Sequence, residues 1–105
     1  MKGAYIMKIC LTLYATFRLL AGVKHIMVEL PDDASLKNAI DAAAAQVPVL
    51  RQHWLDEAGE LFPHVHVFIN GEDAATLPEA LHTILKPGDQ VDFFPPVAGG
   101  APPRP

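Results

Sequence analysis

Residues 91–100 of this 105-residue chain read Val91-Asp92-Phe93-Phe94-Pro95-Pro96-Val97-Ala98-Gly99-Gly100. The alternation of Val91 and Phe93 predicts a short last strand. Two prolines end that strand, because proline has a fixed φ and no N–H to donate to a sheet. The two glycines that follow carry no Cβ, so they form a thin strap that a narrow enzyme tunnel can accept. The stretch therefore predicts a sheet that ends in a protruding diglycine tail, residues 97–100.

A proline-rich extension, Ala101-Pro102-Pro103-Arg104-Pro105, follows the tail and covers the carboxylate that Gly100 would otherwise present. Its prolines favour an extended conformation. The Gly100–Ala101 bond has no proline on its leaving side, so it is the last easy cut before the proline stretch. We expect the unprocessed chain to be inactive and the mature chain to end at Gly100.

Upstream, three further segments alternate with the period of a β-strand. The first two are joined by a short link through Ala21-Gly22, which predicts a hairpin, and the third ends at Asn70-Gly71, a tight-turn signal. The inward positions are Ile9, Leu11 and Leu13 in residues 8–14, Ile26, Val28 and Leu30 in the second segment, and Val65, Val67 and Ile69 in the third.

One amphipathic helix is predicted after Ser35, whose hydroxyl can cap it. Its apolar positions follow helical spacing and are mostly alanine, which favours close packing against a sheet; they are Leu36, Ala39, Ile40, Ala43, Ala44 and Val47. Pro48 is expected to end the helix, and residues 49–63 are expected to be irregular. Leu50, Trp54 and Leu55 are candidate core residues, and residues 77–85 suggest a short helical turn.

Composition excludes several classes of protein. The net charge of −4 argues against nucleic acid and suits a partner with a basic docking surface. No apolar run approaches the ~20 residues that cross a bilayer. The single cysteine, Cys10, rules out an internal disulfide and suits a reducing cytoplasm. Since the first residues are a poor secretory signal, we expect residues 1–7 to be an extension of a cytoplasmic domain spanning residues 8–96.

The order strand, strand, helix, strand, short element, strand is that of the β-grasp, or ubiquitin-like, fold. Four blocks, residues 15–22, 67–71, 85–91 and 93–100, resemble motifs of the ubiquitin-like sulfur carriers, which include the small subunit of molybdopterin synthase and the carriers of thiamine and cysteine biosynthesis. The resemblance implies an α+β fold with a mixed four- to five-stranded sheet and one main helix across it.

The resemblance also implies a function. An E1-like enzyme would adenylate Gly100 with ATP, and sulfur would displace AMP to leave a thiocarboxylate. Gly99 would pass through the enzyme's tunnel, while Phe94, Pro95 and Pro96 would hold the tail at the partner surface. The carrier would bind no cofactor, and catalysis would belong to its partners.

The implied partners are the E1-like enzyme, the large subunit of molybdopterin synthase or another sulfur acceptor, and a zinc metalloprotease that trims the tail. Molybdopterin biosynthesis is the leading destination. Residues 49–67, however, look more like the cysteine-pathway and archaeal-modifier branches. The alternatives are a carrier for cysteine or another sulfur metabolite, a modifier joined through Gly100 to lysines, and a purely non-covalent module.

Phe68 and Phe94 should lie on the sheet face opposite the core, where they either form an exposed patch for a partner or are covered by residues 49–63. His64 and His66 fall at i, i+2, a spacing that can hold zinc or copper, but solvated histidines on an open sheet face are the favoured interpretation and no metal site is predicted. Cys10 is expected to be an ordinary sheet residue, without a basic neighbour other than Lys8.

Overall fold

The computed structural model describes residues 6–96, which form one mixed five-stranded sheet with helices on one face. The sheet order is β2-β1-β5-β3-β4; β1 and β5 are parallel, and every other neighbouring pair is antiparallel. The elements are β1 (Ile6–Leu13), α1 (Ala15–Ala21), β2 (His25–Pro31), α2 (Leu36–Gln46), α3 (Pro48–Trp54), β3 (His66–Ile69), β4 (Glu72–Asp73), 3-10 turns at Ala74–Thr76 and Ala80–His82, and β5 (Gln90–Phe94). The predicted α+β, β-grasp architecture is confirmed.

Helix α2 begins and packs as the sequence predicted. Ser35 and Asn38 form a reciprocal capping box: Ser35 Oγ accepts from the Asn38 N–H at 3.2 Å, and Asn38 Oδ1 accepts from the Ser35 N–H at 2.9 Å. The buried stripe is Leu36, Ala39, Ile40, Ala43 and Ala44. Because three of these five side chains are single methyl groups, the helix lies close against the sheet.

Strands β1 and β2 pair antiparallel, as the predicted hairpin requires, but they are joined by a helix, α1, and the expected short link was wrong. Phe17 lies on the buried side of α1, with its ring edge-on to Trp54 at a centroid distance of 5.9 Å. Gly22 ends the helix in the left-handed conformation, φ +78°, and its N–H donates to the Arg18 carbonyl. Burial of the Phe17 side chain in the core stabilises this helix.

Residues 48–54 are also helical, which corrects the expected irregular excursion. Pro48 follows the end of α2 as predicted, but it also opens α3, since the N–H that proline lacks has no partner in a first helical turn. Leu50, Trp54 and Leu55 are buried as predicted. Trp54 stacks on Phe93 of β5, with centroids 4.2 Å apart and planes within 6°. Helix α3 therefore completes the core beside α2.

Strand β1 begins earlier than the sequence pattern predicts, whereas the turn after β3 matches the prediction. Strand β1 begins at Ile6, and Met7 is already buried opposite Leu30. At the other end, Asn70 and Gly71 adopt positive φ in the tight turn between β3 and β4, as predicted. No helix within residues 6–96 is long and apolar enough to span a membrane. The predicted diglycine tail and the extension 101–105 lie outside the described residues.

Candidate docking site on the outer sheet face

The face of the sheet that points away from the helices carries the candidate site. Successive strand residues alternate between faces, so Val91 and Phe93 enter the core while Asp92 and Phe94 point outward. Asp92 lies on β5 between Thr12 of β1 and Phe68 of β3, its partners in register. The central row of this outer face therefore joins three strands.

Three rings form an aromatic cluster on this face, defined here as Tyr14, Phe68 and Phe94. Tyr14 and Phe94 stack with centroids 4.3 Å apart and planes within 18°. Phe68 meets Phe94 edge-on at 5.4 Å, with an interplanar angle of 87°. These geometries are favourable for aromatic pairs, so the cluster is a packed unit rather than three isolated rings.

The sequence placed Phe68 and Phe94 on the correct face, but Phe94 is not exposed. Only 3% of Phe94 is accessible, because its ring lies between Tyr14 and Phe68. The half-buried rings of Tyr14 and Phe68 form the accessible surface of the cluster. Residues 48–54 do not cover it, since Trp54 packs on the opposite, core side of β5.

The chain leaves the sheet beside this cluster. Pro95 is buried directly after β5, Pro96 is exposed, and neither continues the strand. The Tyr14 N–H donates to the Phe93 carbonyl at 3.2 Å, which ties the ends of β1 and β5 together at this point. The predicted tail residues Gly99 and Gly100 lie outside the described residues, but the position from which they start is defined.

The electrostatics of the face centre on Asp92. Burial raises the pKa of the Asp92 carboxyl above its ordinary value, and a hydrogen bond with the Gln90 side chain offsets part of this rise. Burial, and then the charge of Asp92, raise the pKa of the Tyr14 hydroxyl. Asp92 Oδ1 is inaccessible to water and accepts no hydrogen bond. The site thus places one poorly solvated carboxyl beside three aromatic rings.

The histidines and the cysteine are arranged differently from expectation. His64 lies before β3, exposed and stacked on Phe62 at 5.2 Å, so it does not share a strand face with half-buried His66. Cys10 does have a basic neighbour, His25, whose Nδ1 lies 3.6 Å from Sγ and 3.2 Å from Thr12 Oγ1. Within residues 6–96, no three His, Cys, Asp or Glu side chains group as metal ligands.

Sequence reasoning missed Tyr14 and Asp92. The alternation of each strand predicts that both side chains point outward, but it does not predict that β1 and β5 are neighbours. That pairing places Thr12 opposite Asp92 and brings the ring of Tyr14 into contact with the ring of Phe94. An exposed apolar group near the same end of the sheet, Leu19, Leu20 and Val23, was also missed, because α1 was not predicted.

Comparison with known proteins agrees with this geometry. The model of the ThiS family matches residues 11–100. Small archaeal modifier protein 3 of Haloferax volcanii is 37% identical over 94 residues, which is 90% of this chain and 100% of that protein.

Two solved structures extend the likeness. The crystal structure of SAMP1 from Haloferax volcanii has a TM-score of 0.80 at 33% identity, covering 89% of this chain and 99% of that one. A Pyrococcus furiosus structure named for molybdopterin converting factor, subunit 1, has a TM-score of 0.67 at 28% identity, covering 87% and 99%. The family match spans most of the chain, its motifs and its sheet, and the chain therefore belongs to the ThiS family of ubiquitin-like sulfur carriers.

Proposed function

We propose that this protein is a sulfur carrier that is loaded at Gly100 by an E1-like activating enzyme. The observation that carries the proposal is the aromatic cluster at the point where β5 ends. Aromatic surface of this kind is favoured at protein interfaces, and here it stands where the chain continues toward Gly99 and Gly100. A partner that binds the cluster would hold the domain in place while its active site binds the terminal carboxylate.

The chemistry requires two nucleophilic displacements, one at the α-phosphorus of ATP and one at the carbonyl carbon of Gly100. An oxygen of the Gly100 carboxylate attacks the α-phosphorus of ATP, and pyrophosphate leaves to give an acyl-adenylate. Hydrosulfide then attacks the carbonyl carbon, AMP leaves, and loss of the sulfur-bound proton gives the thiocarboxylate. Adenylation is necessary because a free carboxylate is a poor electrophile. This chain supplies the acyl group and the docking surface, and its partners supply the catalytic groups.

Loading also requires that residues 101–105 be removed. A carboxylate must be free at Gly100, and in the full chain that position is an amide bond to Ala101. We therefore propose that a zinc metalloprotease first cleaves the chain after the second glycine. The proline-rich extension acts as a chemical block on activation until that cut is made.

The leading acceptor is the large subunit of molybdopterin synthase. The Phe93–Gly100 motif and the likeness to a structure named for molybdopterin converting factor support this choice. A carrier for cysteine or another sulfur metabolite would use the same tail and the same docking face.

The second candidate function is a protein modifier joined through Gly100 to lysine side chains. The specific observation in its favour is the 37% identity with small archaeal modifier protein 3. Carrier and modifier share the adenylation step and differ in the nucleophile that follows. A thiocarboxylate at Gly100 supports the carrier, and an isopeptide remnant on lysines supports the modifier.

The experiment that tests activation is ATP–pyrophosphate exchange with the E1-like enzyme of the same organism. The chain ending at Gly100 should support exchange, whereas the full chain and the trimmed Gly100→Ala variant should not. Exchange with the full chain at the rate of the trimmed one would contradict the role of the extension. Absence of exchange with the trimmed chain would contradict the proposed function.

A further inference from the structure

Two buried side-chain polar atoms within residues 6–96 have no hydrogen-bond partner, Trp54 Nε1 and Asp92 Oδ1. The indole nitrogen belongs to a ring that packs in the core. Asp92 is different, because it lies on the outer face, away from the helices. A buried polar oxygen without a hydrogen bond is unfavourable in a folded protein, and more so when it is charged. The Gln90 side chain hydrogen-bonds the Asp92 carboxyl, but Oδ1 itself is left without a partner by the fold.

Other aspartates of this chain show what a structural role looks like. Asp56 Oδ1 accepts the backbone N–H groups of Ala58 and Glu60, each at 2.9 Å, and so closes a turn. Asp73 Oδ1 accepts the Ala75 N–H at 2.9 Å. Asp92 Oδ1 has no such contact, although it is less accessible to water. The residue as a whole is only partly buried, so a docked side chain can approach the carboxyl from the solvent side.

The chain does not supply a cation for Asp92 from its described residues. The salt bridge found within residues 6–96 joins Lys37 and Asp41 on α2, on the other side of the sheet. Around Asp92 the sheet instead presents Thr12, Phe68 and the neighbouring ring of Phe94. A planar cation can donate hydrogen bonds to a carboxyl and stack on an aromatic ring, and this face offers both groups.

We infer that Asp92 and the aromatic cluster together recognise an arginine side chain of the protein that docks on this face. Guanidinium is planar, weakly hydrated and rich in donors, so it can stack on an aromatic ring while it donates to a carboxylate. Lysine fits less well, because its compact ammonium is strongly hydrated and cannot stack. The inference rests on the proposed function only in naming the activating enzyme as that partner.

The charge of the whole chain is consistent with this partner. At −4, the protein attracts a basic surface. The pairing offsets the cost of the partly buried carboxylate when the complex forms, since charge-assisted hydrogen bonds are stronger than neutral ones. Asp92 would thus add specificity for the partner at the expense of the free carrier's stability.

A titration that needs no partner protein tests the arginine site directly. The ¹⁵N-labelled full chain is titrated with N-acetyl-arginine amide and, separately, with the uncharged N-acetyl-citrulline amide. We expect saturable amide shifts centred on Thr12, Phe68 and Asp92 with arginine only. They should disappear in Asp92→Asn and persist in Glu29→Gln, a control that removes the charge of an exposed carboxylate on β2. Shifts that are unchanged in Asp92→Asn, or spread evenly over all surface carboxylates, would overturn the inference.

Activation kinetics then test the partner. In the chain ending at Gly100, Asp92→Asn should raise the KM for the carrier in pyrophosphate exchange about tenfold and leave kcat nearly unchanged. Glu29→Gln should match the unsubstituted chain, and an unchanged KM for Asp92→Asn would contradict the assignment to the activating enzyme. If even the unsubstituted chain supports no exchange, the proposed function fails, while the titration still decides whether Asp92 binds arginine.

Discussion

The rings of Tyr14 and Phe94 stack 4.3 Å apart, and through them the end of β1 is fastened to the end of β5 where the chain leaves the sheet. The Tyr14 N–H adds a backbone hydrogen bond to Phe93 at the same place. Both a side-chain contact and a backbone hydrogen bond therefore fix the point at which the chain leaves the sheet. A rigid departure point suits a carrier, because a partner that binds the cluster also fixes where the tail begins.

The two phenylalanines of the cluster should differ in what they contribute. Phe94→Ala removes a nearly inaccessible ring and should cost about 3 kcal/mol of unfolding free energy. Phe68→Ala removes a half-buried ring and should cost about 1 kcal/mol. Urea unfolding followed by circular dichroism measures both values. If the cluster docks the partner, Phe68→Ala should also lower kcat/KM for activation about tenfold. A Phe68→Ala variant with full activation would argue against docking there.

Substitutions in the tail should remove activation and spare the fold. Gly99→Val or Gly100→Ala, made in the chain ending at residue 100, adds a side chain to a strap that must enter an enzyme tunnel. We expect no pyrophosphate exchange and an unchanged melting temperature, since both positions lie beyond β5. Normal adenylation of either variant would contradict the tunnel argument.

The core substitution Trp54→Phe should be much milder than Trp54→Ala. Alanine leaves a cavity beside Phe93 and should cost about 3–5 kcal/mol. Phenylalanine keeps a stacked ring and removes the unpaired Nε1, so its cost should stay below about 1.5 kcal/mol. Circular dichroism is the appropriate probe, because Trp54 is the single tryptophan of the chain. Equal costs for the two variants would show that the stack contributes little.

The raised pKa of Asp92 predicts a specific pH dependence of stability. The folded carboxyl holds its proton to a higher pH than the unfolded one, so its contribution is fully present below the ordinary pKa of 3.8. That contribution is lost as the pH rises through the folded pKa. Asp92→Asn should therefore unfold at a higher temperature than the unsubstituted chain at pH 7, and the difference should shrink on acidification.

Other ionisable side chains lie on the same face, and comparing Asp92→Asn with the unsubstituted chain at each pH removes the contribution that they make to both. They are Lys8 and Cys10 on β1, Tyr14 directly after β1, His25 and Glu29 on β2, His66 on β3 and Asp73 on β4. Thermal unfolding from pH 3 to pH 8 provides the measurement. A variant less stable than the unsubstituted chain at pH 7 would mean that the carboxylate is stabilising in the fold.

Much of the fold could be predicted from the sequence because its signals are local. Ser35 and the alanine stripe predict α2, and alternation predicts the inward residues of β1, β2 and β3. Helix α1 was missed because Ala21-Gly22 after an alternating run resembles a hairpin link. Helix α3 was missed because Pro48 was interpreted only as a stop, whereas proline also suits a first helical turn.

The site was less predictable because it depends on long-range pairing. Phe68 and Phe94 were placed on the outer face by alternation alone, and that placement is confirmed. The burial of Phe94 depends on Tyr14, which is distant in sequence and reaches it only because β1 lies parallel to β5. The unpaired state of Asp92 depends on the same packing, so no local motif reports it.

The measurement that tests the central claim most directly is the intact mass of the protein purified from its native cells. The account predicts a species that ends at Gly100 and is heavier than the free acid by the difference between sulfur and oxygen. That mass would establish removal of residues 101–105 and sulfur loading in one observation. A mass ending at Pro105 in every preparation would mean that the carboxylate of Gly100 is never released, and it would contradict the carrier function.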